Sequence, residues 1–445
     1  MLTSVHGFAA KGVHVEQLSN GQKLIIAEDK SLPVCYVYAI LKTGAIWDSP
    51  RDEGLTMLTG DMLLRGTTTR TREALQDALD QLGADMDVSV GAESIMVAGQ
   101  TLKRNLDAFL EIFADVILHP RFDDLELQKE KREMIADLKQ LREHDQALAQ
   151  RFFKRALFEG HPYGLNVEGR ESTLIHLTRK KVIERYHQFF ARENLFFAAS
   201  GDMDTKSFAN KLSAYFKDFP KGKISAFAYP AQKQKKGIHI LLVDKPARTQ
   251  SQIIIGHLGI DAHHPDFFPL LVANNAFGGG FTARLMQEVR VKRGWSYGAY
   301  SNYTPRKKPG EFTIWVFPGA QETVDTLKLV LNLYQEYVDQ GITEEEFNRS
   351  KSNLINEFSF KIDTAKKRVS QLALIELLDL PSDYLDTYQD KLKQVTLSEA
   401  IAAVQRQATP QNLTITIVCT ASQLKRQLKA LGKSIQITVK SYKAD

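Results

Sequence analysis

Apolar residues recur along the first half of the chain with two different periods. Leucine and phenylalanine follow helical spacing most clearly over residues 71–82 and 103–117. The same period predicts further helices over residues 54–65, 124–145, 147–157 and 178–190. Residues 85–100 instead alternate weakly and are rich in valine, serine and isoleucine, which predicts two strands. Helices grouped between strands, without regular strand–helix–strand alternation, predict an α+β fold.

The order of these elements occurs twice in the chain. Residues 35–41 align with residues 253–259, and residues 193–195 align with residues 411–413, both at a spacing of 218 residues. In the second case, Asn-Leu leads into an apolar strand and then a helical pattern in both halves. We therefore predict two homologous domains, each an antiparallel-rich sheet packed with helices.

The stretch between the halves, residues 217–237, has the composition of an exposed linker. It contains Pro220, Gly222, Pro230 and several lysines. The predicted boundary lies near residue 228, which gives an N-terminal domain over residues 1–228 and a C-terminal domain over residues 229–445.

The two predicted domains open with similar strand-rich segments. Alternating residues flank Asn20-Gly21 in the first half, which predicts a β-hairpin with a type I′ turn. The second half opens with the strand-like segment 237–246. Cys35 and Cys419 lie in apolar, strand-like runs, so they are predicted to be buried free thiols.

Composition excludes several classes of function. The formal net charge is only +5, and no dense lysine and arginine stripe is interleaved with aromatic residues, so nucleic-acid binding is not expected. No run of eighteen apolar residues occurs, so no membrane span is expected. The first residues contain no apolar signal-peptide core. Two locations stay open: the bacterial periplasm, if a signal peptide was removed, or the cytoplasm.

The most specific motif covers residues 277–297, FGGGFTARLMQEVRVKRGWSY. A triple glycine, Gly278–Gly280, precedes a short predicted helix that carries Arg290 in its last turn. Gly294 then ends that helix, and Tyr297 follows on an extended segment. The glycines permit tight turns and the close approach of another chain.

A second motif lies at residues 54–67, GLTMLTGDMLLRGT, and the two together resemble the pitrilysin/insulinase clan of zinc peptidases. In that clan the helix at this place carries H-x-x-E-H. The flanking pattern is present here at Gly54, Leu55, Met62, Arg65, Gly66 and Thr67. The metal-ligand positions hold Met57 and Asp61, the general-base position holds Gly60, and the third-ligand position, on a later helix, is aligned with Leu138.

These residue types cannot build a catalytic zinc site. Zinc needs three converging ligands from His, Glu, Asp or Cys. The Met57 thioether is a poor zinc ligand, Leu138 is none, and Asp61 alone would bind zinc too weakly. Gly60 has no carboxylate to accept a proton from water. We therefore expect no metal or other cofactor on this chain and no peptidase activity from the chain alone.

The resemblance implies a divided active site. Some bacterial members of the clan, related to the mitochondrial processing peptidase, are heterodimers in which one chain carries H-x-x-E-H and the other an Arg/Tyr pair. By this resemblance, Arg290 and Tyr297 act in trans on the zinc site of a homologous partner, with Gly278, Gly279 and Gly280 lining the substrate chamber. The expected cofactor is zinc in the partner, and the expected substrate is a peptide or unfolded protein.

Two alternatives stay open at this point. The chain is a catalytically inert structural or peptide-binding homologue, or it is an active peptidase with relocated ligands, for which His144 is the first residue to test. A homodimer is also expected to form when the zinc-bearing sibling is absent.

Overall fold

The structure, a computed structural model, describes residues 12–222, 224–432 and 435–444. The chain divides into two compact units. The first consists of Met1–Leu138, Leu165–Ala228 and Phe360–Asp386, and the second of Lys139–Gly164, Tyr229–Ser359 and Thr387–Asp445. Each unit follows one half of the chain, except that residues 139–164 and 360–386 pack with the unit formed mainly by the other half.

Each unit contains a six-stranded mixed sheet. The first sheet has the order β1-β2-β6-β3-β5-β4. Its strands are β1 (Val13–Gln17), β2 (Lys23–Glu28), β3 (Val34–Leu41), β4 (Asp85–Val90), β5 (Ile95–Leu102) and β6 (Leu195–Gly201). The second sheet consists of β7 (Ile238–Asp244), β8 (Gln252–Leu258), β9 (Ser296–Thr304), β10 (Glu311–Pro318), β11 (Leu413–Cys419) and β12 (Gln436–Ser441). Its order is β12-β7-β11-β8-β10-β9, so β4 and β9 lie at corresponding edges.

Sixteen α-helical segments occur in the described part of the chain. Those in the first half are α1 (Leu55–Asp61), α2 (Arg72–Leu82), α3 (Leu106–Leu118), α4 (Asp124–Leu141), α5 (Asp145–Leu157), α6 (Glu171–Leu174), α7 (Arg179–Phe189) and α8 (Thr205–Tyr215). Those in the second half are α9 (Phe267–Gly278), α10 (Arg284–Met286), α11 (Thr323–Gln340), α12 (Glu344–Lys361), α13 (Ala365–Leu377), α14 (Tyr384–Gln394), α15 (Leu397–Gln407) and α16 (Ala421–Lys429). The predicted helices of the first half are therefore confirmed, with ends that differ by a few residues.

The predicted pair of α+β domains is confirmed. The spacing of 218 residues relates β6 to β11 and α7 to α15 without any shift. Both β6 and β11 are buried along their whole length, and both read as unbroken apolar runs because each lies inside its sheet with both faces covered.

The helix exchanged into each unit covers one face of that unit's sheet. In the first unit, Glu376 of α13 binds Lys23 and Lys42, each at 2.6 Å, and Lys366 lies 4.1 Å from the centre of the Tyr36 ring. In the second unit, α5 packs so closely that a side chain at Gly256 would lie 2.8 Å from Phe153 Cζ. The two exchanged helices therefore belong to the hydrophobic cores.

The β1–β2 hairpin forms, but its turn differs from the predicted type. The Gly21 amide donates to the Leu18 carbonyl at 2.8 Å, and Gly21 alone in this loop has a positive φ, of 91°. A type I′ turn needs positive φ at both central residues, so the expectation for Asn20-Gly21 was wrong in this respect. The loop is instead a type I turn followed by a left-handed glycine. In the second unit no hairpin corresponds to it, because β7 pairs in parallel with β11 and β12.

Both cysteines are buried and free, as predicted. Burial raises the pKa of the Cys35 thiol to about 11 and that of the Cys419 thiol to about 12, so both are protonated near neutral pH. Within the part of the chain that the structure describes, no helix is long and apolar enough to cross a membrane.

Candidate functional site

The helix that carries the zinc-motif positions is fixed at its beginning by a buried ion pair. Asp48 accepts hydrogen bonds from the Gly54 amide at 3.1 Å and from the Thr56 hydroxyl at 2.6 Å, and it pairs with Arg185 at 2.8 Å. Gly54 has a φ of 94°, and a side chain there would lie 2.8 Å from the Gly169 Cα atom. The flanking pattern of the motif is therefore explained by helix α1 itself, whether or not a metal is bound.

The general-base position of the motif is tightly packed. A Cβ atom at Gly60 would lie 2.8 Å from Val90 Cγ2 and 3.1 Å from Val88 Cγ1, both on the edge strand β4. A side chain at position 60 therefore requires these valine side chains to shift. Met57 lies partly buried against the same apolar core.

Asp61 lies among other carboxylates. Burial, followed by the charge of Glu130, raises the pKa of Asp61 to about 8, and Asp87 and Asp137 act in the same direction. At neutral pH the Asp61 carboxyl is therefore mostly protonated. A protonated carboxyl is a poor ligand for a cation, because metal binding requires the ionised form.

Arg65 holds a positive charge beside these acids. Its guanidinium pairs with Glu130 and Glu133 on α4, and both Arg65 and Glu130 are nearly buried. Arg72 adds a second cation, 3.6 Å from Glu126. Three acids of α4, Glu126, Glu130 and Glu133, are thus paired with arginines of the same unit.

Leu138, which the sequence aligns with the third-ligand position, lies in the hydrophobic core. Leu138 is 5% exposed and belongs to the apolar core, so it does not face this cluster. On the same helix, it is the charge of Asp137 that acts on Asp61. The sequence analysis did not identify Glu130 and Asp137, although their spacing of seven residues places them on one side of a helix.

The residues at the zinc-motif positions do not fit zinc. Met57, Gly60 and a largely protonated Asp61 stand where two histidines and a glutamate are needed. Over residues 12–222, 224–432 and 435–444, no three His, Cys, Asp or Glu side chains come together in a way that could hold a metal ion. His144, the candidate relocated ligand, is an exposed residue immediately before α5.

The Gly-rich turn lies at the end of α9, in the second unit. A Cβ atom at Gly278 would lie 2.6 Å from the Ser301 amide nitrogen of β9, and one at Gly279 would lie 2.6 Å from Asn275 Cα. A side chain at Gly280 would meet no atom within 4 Å. None of the three has a positive φ. Close packing therefore explains the first two glycines, and left-handed backbone explains none of them.

A partly buried ion pair fixes the chain after the glycines. Arg284 binds Glu346 with two hydrogen bonds, of 3.0 and 2.6 Å, and its guanidinium also donates to the Gly341 carbonyl at 3.0 Å. Such a two-point contact sets direction as well as distance. The sequence analysis did not identify this pair, because Arg284 and Glu346 are 62 residues apart.

Arg290 lies in a single π-helical segment, Gln287–Val291, which continues α10. Such wide turns are rare and frequently occur at functional sites. Gly294, with a φ of 68°, then ends the segment. Among the described residues, the Arg290 side chain has no hydrogen bond and no ion pair, and its guanidinium lies 5.1 Å from the centre of the Phe281 ring.

Tyr297 is the second residue of the edge strand β9. It is 75% exposed, and its hydroxyl makes no hydrogen bond to any part of the chain that the structure describes. The π-helical segment packs against β9, so Arg290 and Tyr297 lie on neighbouring elements of the second unit. Both side chains keep unused hydrogen-bond donors.

Two family models match adjoining parts of the chain. Residues 23–171 match the model described as Insulinase (Peptidase family M16), and residues 176–354 match the model described as Peptidase M16 inactive domain. A Bacillus subtilis protein described as uncharacterized zinc protease YmxG is 22% identical over 400 residues, which are 90% of this chain and 96% of that protein. A Helicobacter pylori protein described as non-peptidase homolog YmxG is 22% identical over 417 residues, 93% of this chain and 95% of that protein.

Solved structures share the fold over almost the whole chain. The crystal structure of a peptidase M16 inactive domain from Pseudomonas fluorescens has a TM-score of 0.84 and 26% identity, covering 92% of this chain and 97% of that one. A chain of complex III2 from Candida albicans has a TM-score of 0.77 and 16% identity, covering 93% and 97%. The second likeness shows the fold alone.

Proposed function

Because the chain belongs to peptidase family M16, the insulinase family, and is a non-catalytic homologue within it, we propose that it completes the active site of a zinc-bearing sibling. In this proposal Arg290 and Tyr297 are donated in trans to a chain that carries an intact H-x-x-E-H motif. The pair of chains hydrolyses peptides or unfolded protein segments, and zinc belongs to the sibling.

The observation that carries the proposal is that both residues keep their donors unused. A tyrosine hydroxyl can donate a hydrogen bond to the oxyanion of a tetrahedral intermediate. A guanidinium can hold a substrate carbonyl with N–H groups that lie in one plane. Arg290 and Tyr297 present these groups without any partner in the described chain, whereas Arg65, Arg185 and Arg284 are consumed by carboxylates.

The degenerate motif is consistent with a division of labour. Gly60 is tightly packed against β4, and Arg65 neutralises the neighbouring acids, so the first unit is arranged for packing at the place where a peptidase would hold its metal. The site that still presents unused polar groups lies in the second unit.

The experiment is a mixing assay with the zinc-bearing sibling from the same organism. Neither chain alone is expected to cleave a quenched peptide at an appreciable rate, and the mixture is expected to do so with zinc in a ratio of one per pair. Size-exclusion chromatography of the mixture should show a complex at micromolar concentration. A sibling that is fully active by itself, and unchanged by this chain, would rule out the proposal.

The second candidate function is an inert structural or peptide-binding homologue. One relative, from Helicobacter pylori, is itself described as a non-peptidase homolog, and that description favours this alternative. A substitution at Tyr297 distinguishes the two candidate functions. Loss of the Tyr297 hydroxyl lowers turnover of the mixture only if the hydroxyl takes part in the reaction.

A further inference from the structure

Arg290 is kept free by the charges next to it. The nearest acid along the chain is Glu288, and its carboxylate is already bound by two other cations. Lys292 Nζ lies 2.5 Å from one oxygen, and Arg293 Nη1 lies 2.7 Å from the other. Arg293 also donates to the Glu288 carbonyl at 2.8 Å. The two cations outweigh the single negative charge of Glu288, and residues two apart on a helix do not face each other, so Glu288 does not bind Arg290.

Arg290 is held instead by an uncharged aromatic ring. Its guanidinium carbon lies 5.1 Å from the centre of the Phe281 ring, inside the range of a cation–π contact. The ring attracts the cation through its π face and accepts no N–H hydrogen bond. An ion pair with a carboxylate would consume two N–H groups, whereas contact with a ring leaves the donors available.

Contacts of the residues that follow Phe281 fix its backbone. Arg284 is bound to Glu346 three residues later, and Arg349 donates to the Thr282 carbonyl at 3.4 Å. The Phe281 side chain is nevertheless 59% exposed. Phe281 is therefore an exposed apolar side chain on a fixed backbone, in contact with a cation that has no other side-chain partner in the described chain.

We infer that Phe281 is a positioning residue, which orients the Arg290 guanidinium while leaving its N–H groups free for the substrate or partner. This inference rests on the proposed function of Arg290. Lys292 and Arg293 support it by occupying Glu288. Phe281 acts through Arg290 and not on the reacting atoms, so its loss lowers the fraction of correctly oriented Arg290 without removing the residue.

The first test does not need the partner. Arginine side-chain resonances of the full isolated chain are recorded by NMR with labelled arginine, and Arg290 is assigned by its disappearance in Arg290→Lys. The Arg290 Nε–H resonance is expected to be displaced upfield by the ring current of Phe281. Phe281→Leu should move it to the random-coil position, and Phe281→Tyr should leave it displaced. An Arg290 resonance that does not move in Phe281→Leu overturns the inference.

The second test uses the assembled pair. A cation–π contact at an exposed site corresponds to a change of about two- to fivefold. Phe281→Leu is therefore expected to lower kcat by about two- to fivefold with little change in zinc content or assembly, and Phe281→Tyr should restore it. The matched control is Phe360→Leu, the same change at a phenylalanine that is 70% exposed in the first unit, which should leave kcat unchanged.

The outcomes separate this inference from the proposed function. If Arg290→Ala leaves turnover of the pair unchanged, the proposed function fails, and the NMR result alone decides the contact with Phe281. If Arg290→Ala abolishes turnover while Phe281→Leu equals wild type, the proposed function stands and the positioning role is overturned.

Discussion

Two helices that contain glycine occupy equivalent places in the two halves of this chain, and the polar groups near them differ in their contacts. The repeat of 218 residues places Gly60, near the end of α1, opposite Gly278, at the end of α9. Gly60 is pressed against Val88 and Val90 of β4, and Gly278 against Ser301 of β9. Both helices therefore approach the edge strand of their sheet so closely that a side chain at either glycine would require neighbouring atoms to shift.

The polar groups near the two helices differ in what they contact. Near α1, Arg65 pairs with Glu130 and Glu133 inside the first unit. Near α9, Arg290 and Tyr297 have no polar partner in the described chain. The first helix has lost its ligands and its neighbours are mutually neutralised, while the second keeps its donors unused. Because Tyr297 is exposed and Arg290 has no polar partner in the described chain, both can donate to a ligand without first breaking a hydrogen bond within the chain.

The largest expected effect concerns Tyr297. In the assembled pair, Tyr297→Phe removes one hydrogen-bond donor and almost no packing, because the residue is 75% exposed. Loss of one oxyanion donor typically lowers kcat by about 100- to 1,000-fold. Arg290→Ala is expected to be comparably severe. The measurement is kcat of the pair on a quenched peptide, with zinc content and assembly recorded for each variant.

The controls for this prediction follow from the contacts. Arg293 is exposed but unsuitable as a control, because it binds Glu288 and lies 5.7 Å from the centre of the Trp295 ring. Arg426→Ala, on the exposed face of α16, and Tyr215→Phe, in the first unit, are better matched. Turnover of Tyr297→Phe equal to that of Tyr215→Phe would assign the chain a purely structural role.

A smaller effect tests whether the degenerate motif is closed. Gly60→Ala and Gly278→Ala each force a Cβ atom into occupied space, and overpacking of this kind costs about 1–3 kcal/mol. The better helix propensity of alanine offsets about 1 kcal/mol of that cost. Both variants should therefore lower the urea midpoint, while Gly280→Ala, which meets no atom within 4 Å, should not.

The close packing of α1 against β4 also predicts the result of restoring the zinc motif. The triple variant Met57→His, Gly60→Glu, Asp61→His is expected to be destabilised and to hold less than one zinc per chain by elemental analysis, because the glutamate collides with Val88 and Val90. A stable triple variant with one tightly bound zinc would show that β4 can move away from α1, and the interpretation of a closed site would then be abandoned.

Much of the fold was predictable because periodicity is a local property. The helices over residues 72–82 and 106–118 and the strands over residues 85–90 and 95–102 follow from spacing alone. The exchange of residues 139–164 and 360–386 between units did not follow, because a helix with one apolar stripe packs equally well on either of two similar sheets. Only contacts between distant parts of the chain decide which sheet it covers.

The candidate site, like the fold, could be predicted only in part from the sequence. The Arg/Tyr motif was readable from the sequence, but the lack of a partner for Arg290 was not, since it depends on how Lys292 and Arg293 share Glu288. The buried position of Leu138 was predictable from the sequence. Leu127, Met134 and Leu138 form one apolar stripe at helical spacing, so position 138 had to face the core.

The last prediction concerns the pH dependence of stability at Asp61. The folded chain raises the pKa of this carboxyl to about 8, from an ordinary value of 3.8, through burial and the charge of Glu130. A raised pKa means that the folded state binds the proton more tightly, so the stability contributed by the protonated carboxyl is complete below about pH 4 and is lost as pH rises through about 8.

The substitution Asp61→Asn replaces this carboxyl with an amide that does not ionise, so the variant does not lose stability as pH rises. The variant should resemble wild type at pH 4 and become progressively more stable than wild type up to about pH 8, by at most about 1.4 kcal/mol per pH unit. Urea denaturation at a series of pH values measures the difference, with Asp218→Asn as the exposed control. If the difference in unfolding free energy between Asp61→Asn and wild type does not change with pH, Asp61 is ionised in the folded chain. The first unit would then keep an ionised carboxylate near α1, and the contrast with the unused donors of Arg290 and Tyr297 would fail.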